Sequence, residues 1–353
     1  MLKMSLPTIL SLFFTICLAS EVSGKDVNPS LQKFSFRQKK MGVDFTITVY
    51  APSEAIANRA ASAAYARIEK LNKILSDYNP ESEISRLGRL SGPGKPVRVS
   101  PDLLKVMTHS LALSRKSNGA FDVTLGHLTR LWRLARRTKM LPSDQERKSA
   151  LSRTGYQYVR INSCQSTVEL LKTGMRLDMG GIAKGYAADE ALKVLKKHGL
   201  TRAMVDASGD ISIGDPPPGK AGWVIGIASL RKPNAPPNRY LELKNVAVAT
   251  SGDAFQYVQI DGKRFSHIIN PKTGLGLTTR SSVTVIAPTG IQADSLASAV
   301  SVLGMKRGIH LIEQTAGAEA LFVQLKEGGL LQRTSSGFRQ FLYMPRKRAA
   351  SSQ

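Results

Sequence analysis

MRLDMGGIAKGYAAD, residues 175 to 189, decides the reading of the chain. A short apolar run ends in Asp178, two glycines follow at Gly180 and Gly181, and a helical pattern starts almost at once. Ala183, Tyr186, Ala187, Ala191, Val194 and Leu195 recur at helical spacing. A helix is therefore predicted from about Ile182 to His198, with Gly199 as its stop. Strand, glycine turn and helix N-terminus in succession offer unpaired backbone N–H groups to an anion. Lys184 puts a positive charge in the first turn, where the helix dipole alone favours a negative one. A bound phosphate would account for it. So would a tight strand-to-helix turn with a solvated lysine, and such an exposed lysine would add little to stability. The stretch is not a P-loop, because no Ser or Thr follows the lysine and the leading glycine is misplaced.

The surrounding chain sets the bounds. With 353 residues, 42% of them apolar, it can bury a large core as a single elaborate domain. Leu6 to Leu18 is an apolar run behind Lys3, too short to span a bilayer comfortably. Small residues follow from Ala19 to Gly24, so residues 1–24 read as a secretory signal peptide, with Val22-Ser23-Gly24 or Ser20 before the cleavage point. The expected location is exported, in the periplasm or cell envelope; a buried N-terminal segment is the alternative. No small residue precedes Cys17, which argues against a lipoprotein signal. Cys17 would leave with the signal, and Cys164 would remain without a disulfide partner.

The formal net charge of +24 suits nucleic acid, anionic lipid or a phosphorylated ligand. Basic residues are scattered, apart from clusters at Arg130–Lys139 and Arg346–Arg348, and no nucleic-acid module is visible. Nucleic acid is therefore not an expected partner. The Arg130–Lys139 segment alternates arginines with Leu131, Trp132, Leu134 and Ala135. It reads as an amphipathic helix, solvated or in peripheral contact with an anionic membrane.

Working outward, the first strand is expected at Phe45–Tyr50, behind Met41-Gly42. A helix capped by Ser53 should run to Leu75, leaving Tyr78 in the loop that follows. A second helix fits Ser100–Ser117, with Pro101 at its first position and Asn118-Gly119 as the stop. Ser143-Asp144-Gln145-Glu146 is a capping box. Strands at Tyr156–Ile161 and Thr167–Leu171 should lead into a strand carrying Asp178. Further strands are expected at Ala203–Val205, Trp223–Ala228 and Tyr240–Leu243, with a hairpin turn at Asp261-Gly262. Residues 291 to 304 read as a helix closed by Gly304, on which Asp294 and Ser298 share a face. A carboxylate with a hydroxyl suits a hard ion such as Mg2+. A serine bonded back to its own helix beside a solvated aspartate fits equally. Strands at Ala320–Leu325 and Leu330–Thr334 precede a basic tail expected to be disordered, giving a domain at 25–340 and a tail at 341–353.

Taken together, these segments resemble the FAD:protein FMN transferases, the ApbE family of flavin transferases. The resemblance rests on LDMGGIAKGYAAD at 177–189, LSDYNPESEISRL at 75–87, GAFDVTLG at 119–126, SHIINPKTG at 266–274 and ADSLAS at 293–298. It spans about Met41 to Gly304, with the motifs in family order. Three positions depart from the pattern: Val43 replaces the threonine of an M-G-T motif, Asn270 replaces an aspartate, and Ser298 replaces threonine but keeps its oxygen. At Asn270 a turn role survives and a charge role does not.

The resemblance implies an α/β (α+β type) single catalytic domain of the flavin-transferase fold. It implies Mg-dependent transfer of FMN from FAD to a Thr or Ser hydroxyl of a partner protein, an exported or membrane redox protein, with release of AMP. It further implies FAD contacts at Met41, Tyr78, Ala120, Phe121, Asp122, Asp178, Lys184 and Ile269, and Mg2+ held by Gly181 through its carbonyl, Asp294 and Ser298. Chemistry adds Lys184 as an electrostatic clamp and His267 as a proton-transfer group. Two other readings stay open: an FAD-binding or FAD-hydrolysing protein without a protein acceptor, and a non-catalytic basic scaffold.

Overall fold

Alternation of apolar and polar residues makes the centre of the molecule an antiparallel sheet. The computed structural model describes residues 30–253 and 256–344; the expected signal peptide and the end of the basic tail lie outside the described residues. The strands are β1 (Gln32–Lys40), β2 (Val43–Ala51), β3 (Val97–Arg98), β4 (Val159–Asn162), β5 (Thr167–Leu170), β6 (Ala203–Ala207), β7 (Asp210–Ile213) and β8 (Trp223–Ile227). They continue with β9 (Arg239–Leu243), β10 (Ala247–Gly252), β11 (Tyr257–Ile260), β12 (Lys263–Ser266), β13 (Ser281–Ala287), β14 (Glu319–Lys326) and β15 (Gly329–Thr334). The helices are α1 (Glu54–Leu75), α2 (Glu83–Leu90), α3 (Pro101–Lys116), α4 (Gly126–Thr138), α5 (Asp144–Ser152), α6 (Ala183–Lys197) and α7 (Gly290–Glu313).

Eight strands form the main sheet in the order β1-β2-β6-β7-β10-β13-β14-β15. On one face, Ala247, Ala249, Val283, Val285, Ala320 and Phe322 join the core that α1, α3, α6 and α7 cover. On the other, Val248, Ile286 and Leu321 pack against Trp223 and Leu241 of the β8–β9 hairpin and against Phe338. Coverage on both faces explains why all seven residues of β13 are buried. This is the mixed α/β single domain expected. A third cluster, with Leu128 and Trp132 of α4 against Val258, Ile260 and Phe265, attaches the β11–β12 hairpin.

Three sequence expectations change. A strand precedes Phe45: β1 pairs with β2 across a tight turn in which Met41 (φ 50°) and Gly42 (φ 78°) are both left-handed. Its Lys and Arg side chains blunt an exposed sheet edge, which hides the alternation of Phe34 and Phe36. Met175–Asp178 joins no strand. It lies along the 123–126 loop instead, with Asp178 N–H bonded to Val123 O (2.8 Å) and Gly126 N–H to Arg176 O (3.2 Å). The helix expected at 291–304 does end at Gly304 (φ 75°, ψ 173°), and a second helical segment, counted here within α7, follows at once to Glu313. Residues of the expected tail also join the fold, where Leu342 bridges to Leu241.

Candidate active site

Two helix N-termini meet at two glycines. A Cβ at Gly185 would lie 2.1 Å from the Gly290 carbonyl oxygen, and one at Gly290 would lie 2.4 Å from that of Gly185. Only residues without a side chain permit so close a backbone approach. Each helix then reaches across the contact to cap the other. Asp189 of α6 accepts from the N–H groups of Gly290 (2.7 Å) and Ile291 (3.0 Å) and from Ser212 Oγ (2.7 Å). Asp294 of α7 accepts from Gly185 N–H (3.0 Å). Of the two readings of the α6 N-terminus, a fully open anion cradle is the one the structure does not match. Asp294 occupies part of it, and the N–H groups of Ile182 and Ala183 go to Met179 O.

Lys184 is also engaged by protein. Its ammonium pairs with Asp210 at the start of β7, and the Asp210 side chain is only 5% exposed. Burial works against the lysine's charge, but the carboxylates of Asp210 and Asp294 outweigh it and hold the ammonium above its ordinary range. Burial pushes Asp294 up to about 7, and the nearby negative charge of Asp210 adds to the effect. Asp206 turns into its own hairpin, accepting from Gly209 N–H at 2.8 Å. The half-buried Met41 lies at the same end of the sheet, because Ser208 Oγ on that hairpin donates to Asp44 O (3.0 Å) beside the β1–β2 turn.

Gly181 brings the remaining expected positions together. A Cβ there would lie 2.8 Å from Ser298 Oγ and 3.5 Å from the Phe121 ring. Ser298 is one turn along α7 from Asp294, as the helical spacing required. Ala120, Phe121 and Val123 are buried in the loop beside residues 176–178. Asp122 faces inward: its carboxylate accepts from Thr124 N–H (2.8 Å), Thr124 Oγ1 (2.7 Å) and Tyr156 N–H (2.9 Å). Its carboxylate thus shapes the loop. Asp178 accepts from Gly180 N–H at 2.7 Å, which fixes the turn before α6.

Arg133 was not anticipated. From α4 it donates to Asp77 (2.5 Å), lies 3.6 Å from Asp178, and stacks 3.8 Å from the centre of the Tyr78 ring. That stacking holds a tyrosine that is otherwise 74% exposed. The only sequence signal was an arginine one position after the buried Trp132.

Next to Arg133 on α4, Trp132 Nε1 donates to Gly274 O (2.8 Å) and anchors the 267–274 segment. Ile269 is buried with Trp132 and Phe265, so its side chain belongs to the core. Asn270 makes a turn, its Oδ1 accepting from Lys272 N–H and its carbonyl from Gly274 N–H. His267 is half-buried, with Nδ1 3.1 Å from Gln256 O. A carbonyl can only accept, so Nδ1 carries the proton and Nε2 keeps a lone pair. Burial lowers the His267 pKa, with the positive charges of Arg136 and Lys184 adding to it, so the ring is neutral at pH 7.

Among the described residues no three His, Cys, Asp or Glu side chains gather as a metal cluster. A cation here would need the hydroxyl and backbone oxygens of Ser298 and Gly181 alongside Asp294. That donor set is all oxygen, which suits a hard ion.

The sequence model of the ApbE family matches residues 41–322. A Treponema pallidum protein named FAD:protein FMN transferase is 29% identical over 323 residues, covering 87% of this chain and 89% of its own. A Vibrio cholerae protein of the same name is 30% identical over 278 residues, covering 78% and 82%. The solved flavin transferase ApbE of Vibrio cholerae superposes with a TM-score of 0.80 at 28% identity, over 88% of this chain and all of that one. The ApbE protein of Thermotoga maritima superposes with a TM-score of 0.78 at 32% identity, over 89% of this chain and all of that one.

Proposed function

Because this chain belongs to the ApbE family, we propose that it transfers FMN from FAD to a threonine or serine hydroxyl of a partner protein, with release of AMP. The observation that carries the reading is the assembly of Gly181, Ser298 and Asp294 from two segments far apart in sequence. Asp294 has one hydrogen bond among the described residues, from Gly185 to Oδ2, and Ser298 Oγ sits against Gly181. These groups fit a Mg2+ ion held by Asp294, Ser298 and the Gly181 carbonyl. When bound, the ion would neutralise charge gathering on the diphosphate oxygens.

The chain's own residues do the rest. Tyr78, stacked on Arg133, offers an aromatic face for the flavin, and Phe121 lines the floor next to Gly181. Lys184 holds positive charge at the diphosphate and keeps its proton throughout. His267 accepts the acceptor's hydroxyl proton at Nε2. The hydroxyl oxygen bonds to the FMN-side phosphorus, the bond from that phosphorus to the bridging oxygen breaks, and AMP departs with the electron pair. The apolar run at Leu6–Leu18 would place this reaction outside the cytoplasm, on an exported or membrane-held redox acceptor.

Incubation with FAD, Mg2+ and candidate acceptors tests the proposal. A fluorescent, flavinylated acceptor band is expected, removed by chelator and restored by Mg2+. Free FMN and AMP without acceptor labelling would make the chain a hydrolase, and unchanged FAD would make it non-catalytic. His267→Asn should slow transfer about a hundredfold with little change in FAD affinity. In the unsubstituted enzyme the acid limb of the rate profile should lie below pH 6.5, since burial lowers this histidine from its ordinary 6.5. Equal losses of binding and transfer in the variant would mark His267 as structural.

A further inference from the structure

A cleft of about 660 Å³ opens between α4 and α5. Arg130, Arg133 and Arg137 line it from α4, Glu146 and Arg153 from α5. Glu146 is the one carboxylate in this lining, held in the capping box by Ser143 N–H (2.9 Å) and Oγ (2.7 Å), so the arginines outnumber it. Arg133 is neutralised on the active-site side by Asp77 and Asp178. The other three arginines have no carboxylate within ion-pair distance among the described residues, and Arg153 bonds only to Ser149. Arg147, on the same short helix but outside the cleft lining, does have a partner in Asp144 at 2.8 Å. Three guanidiniums without an ion-pair partner among the described residues thus line the concave side, while Arg136 of α4, likewise without one, lies outside the lining.

Exposed apolar side chains accompany the arginines, Leu134 in the lining and Met140 and Leu141 in the connection from α4 to α5. Leu134 is 42% exposed, Met140 71% and Leu141 44%. Unpaired arginines beside exposed apolar side chains are the composition of a protein-binding surface. Guanidiniums match carboxylates through two parallel hydrogen bonds. A concave cleft of this volume admits a chain segment, whereas a bilayer surface would meet only its rim. Arg133 forms the wall between this cleft and Tyr78, so a segment seated here would continue toward the site.

We propose that the α4–α5 cleft docks an acidic segment of the acceptor protein, near the hydroxyl that receives FMN. The proposal rests on the transfer reading above for the identity of the occupant. Charge complementarity selects the segment, and the shared wall at Arg133 places it beside the reacting groups. The expected acceptor thus carries Asp or Glu, with an apolar residue among them, close in sequence to its target Thr or Ser.

Two fluorescein-labelled peptides test this, each carrying one threonine and a flank that alternates leucine with either glutamate or glutamine. Anisotropy titrations without FAD or metal should show the acidic peptide binding about tenfold more tightly, an advantage that salt erodes. The triple variant Arg130→Gln/Arg137→Gln/Arg153→Gln should lose that advantage. The same positions changed to Lys should keep part of it, because the charge stays and the fork is lost. Unchanged thermal melting and FAD affinity would show that each variant is folded. With FAD and Mg2+ present, the KM for the acidic peptide should rise in the Gln variant while kcat at saturation holds. Equal affinity for both peptides, or no effect of the triple variant, overturns the proposal. So does a variant that loses only its binding to vesicles containing phosphatidylglycerol, since the surface would then be a membrane contact. Binding of the acidic peptide without FMN transfer would instead sink the transfer reading and leave the cleft standing.

Discussion

Asp189 and Asp294 make the same reach in opposite directions across the α6–α7 contact, yet they end in different states. Asp189 accepts three hydrogen bonds, two from the first turn of α7 and one from Ser212. Its bonding capacity goes into joining two helices and a strand. Asp294 accepts one such bond among the described residues and has Ser298 one turn along the same helix. A buried carboxylate with so few donors is costly unless something else supplies charge. Lys184 supplies part of it, and a cation would supply more. Counting donors thus separates a carboxylate that builds from one left with bonding capacity to spare, where burial and residue type do not.

The strongest way to break this contrast is to remove each carboxylate in turn. Asp294→Ala takes away the one charged group among the proposed metal-holding residues at the cost of a single hydrogen bond. Mg2+ binding by calorimetry should disappear, and transfer should fall about a thousandfold. The melting temperature should change little. Asp189→Ala should do the reverse, leaving two amides and a serine without their acceptor. A loss of about 3 kcal/mol is expected in denaturant titrations, with Mg2+ affinity retained in the folded fraction. If the two variants lost stability and Mg2+ affinity alike, the distinction between them would be wrong.

Lys184 sharpens the contrast because it belongs to both sides. Taken as an exposed lysine, its removal should cost little stability; the structure overturns that expectation. Lys184→Ala would leave Asp210 buried without its partner, a loss of about 3 kcal/mol. Lys184→Met/Asp210→Asn removes both charges and should recover most of that stability. FAD affinity should stay weak in the double variant if the lysine also serves the diphosphate. Affinity that recovered along with stability would limit Lys184 to holding Asp210.

How much of this was legible beforehand depends on the range of the interactions. The α6 helix, its stop at Gly199, the Ser143 capping box and the spacing of Asp294 and Ser298 are local, and local patterns report them. The β1 strand stayed hidden because its outward face is polar and charged. Asp189 stands beside Glu190 on α6 with no local mark of its own, and its capping of α7 depends on a residue about a hundred positions away. Gly185 inside the helix and Gly290 at the next helix start were the available hints, since a glycine in a helical pattern often marks close backbone approach. Arg133 had no comparable mark. Its partners Asp77, Tyr78 and Asp178 come from two loops that only the fold brings together. The resemblance named positions 122 and 269 as flavin contacts, but it could not show that both side chains turn inward.

The smallest expected effect is at Ser298, and it tests the finer half of the contrast. Asp294 differs from Asp189 in its spare bonding capacity, and Ser298 differs from a solvent-facing helix serine in having Gly181 against its hydroxyl. If that hydroxyl is a neutral donor to Mg2+, Ser298→Ala should weaken Mg2+ binding about tenfold, far less than loss of the carboxylate. Ser298→Thr keeps the oxygen on the same carbon and adds a methyl, so a change of no more than about twofold is expected. The hydroxyl matters in this account as an oxygen held against Gly181, which makes Gly181→Ala the matched control. The new Cβ would meet Ser298 Oγ at 2.8 Å and push it away. Gly181→Ala should therefore weaken Mg2+ binding at least as much as Ser298→Ala while the melting temperature stays close to that of the unsubstituted protein. Threonine and alanine behaving alike at 298 would remove the hydroxyl from the site and leave Asp294 to hold the ion with backbone oxygens.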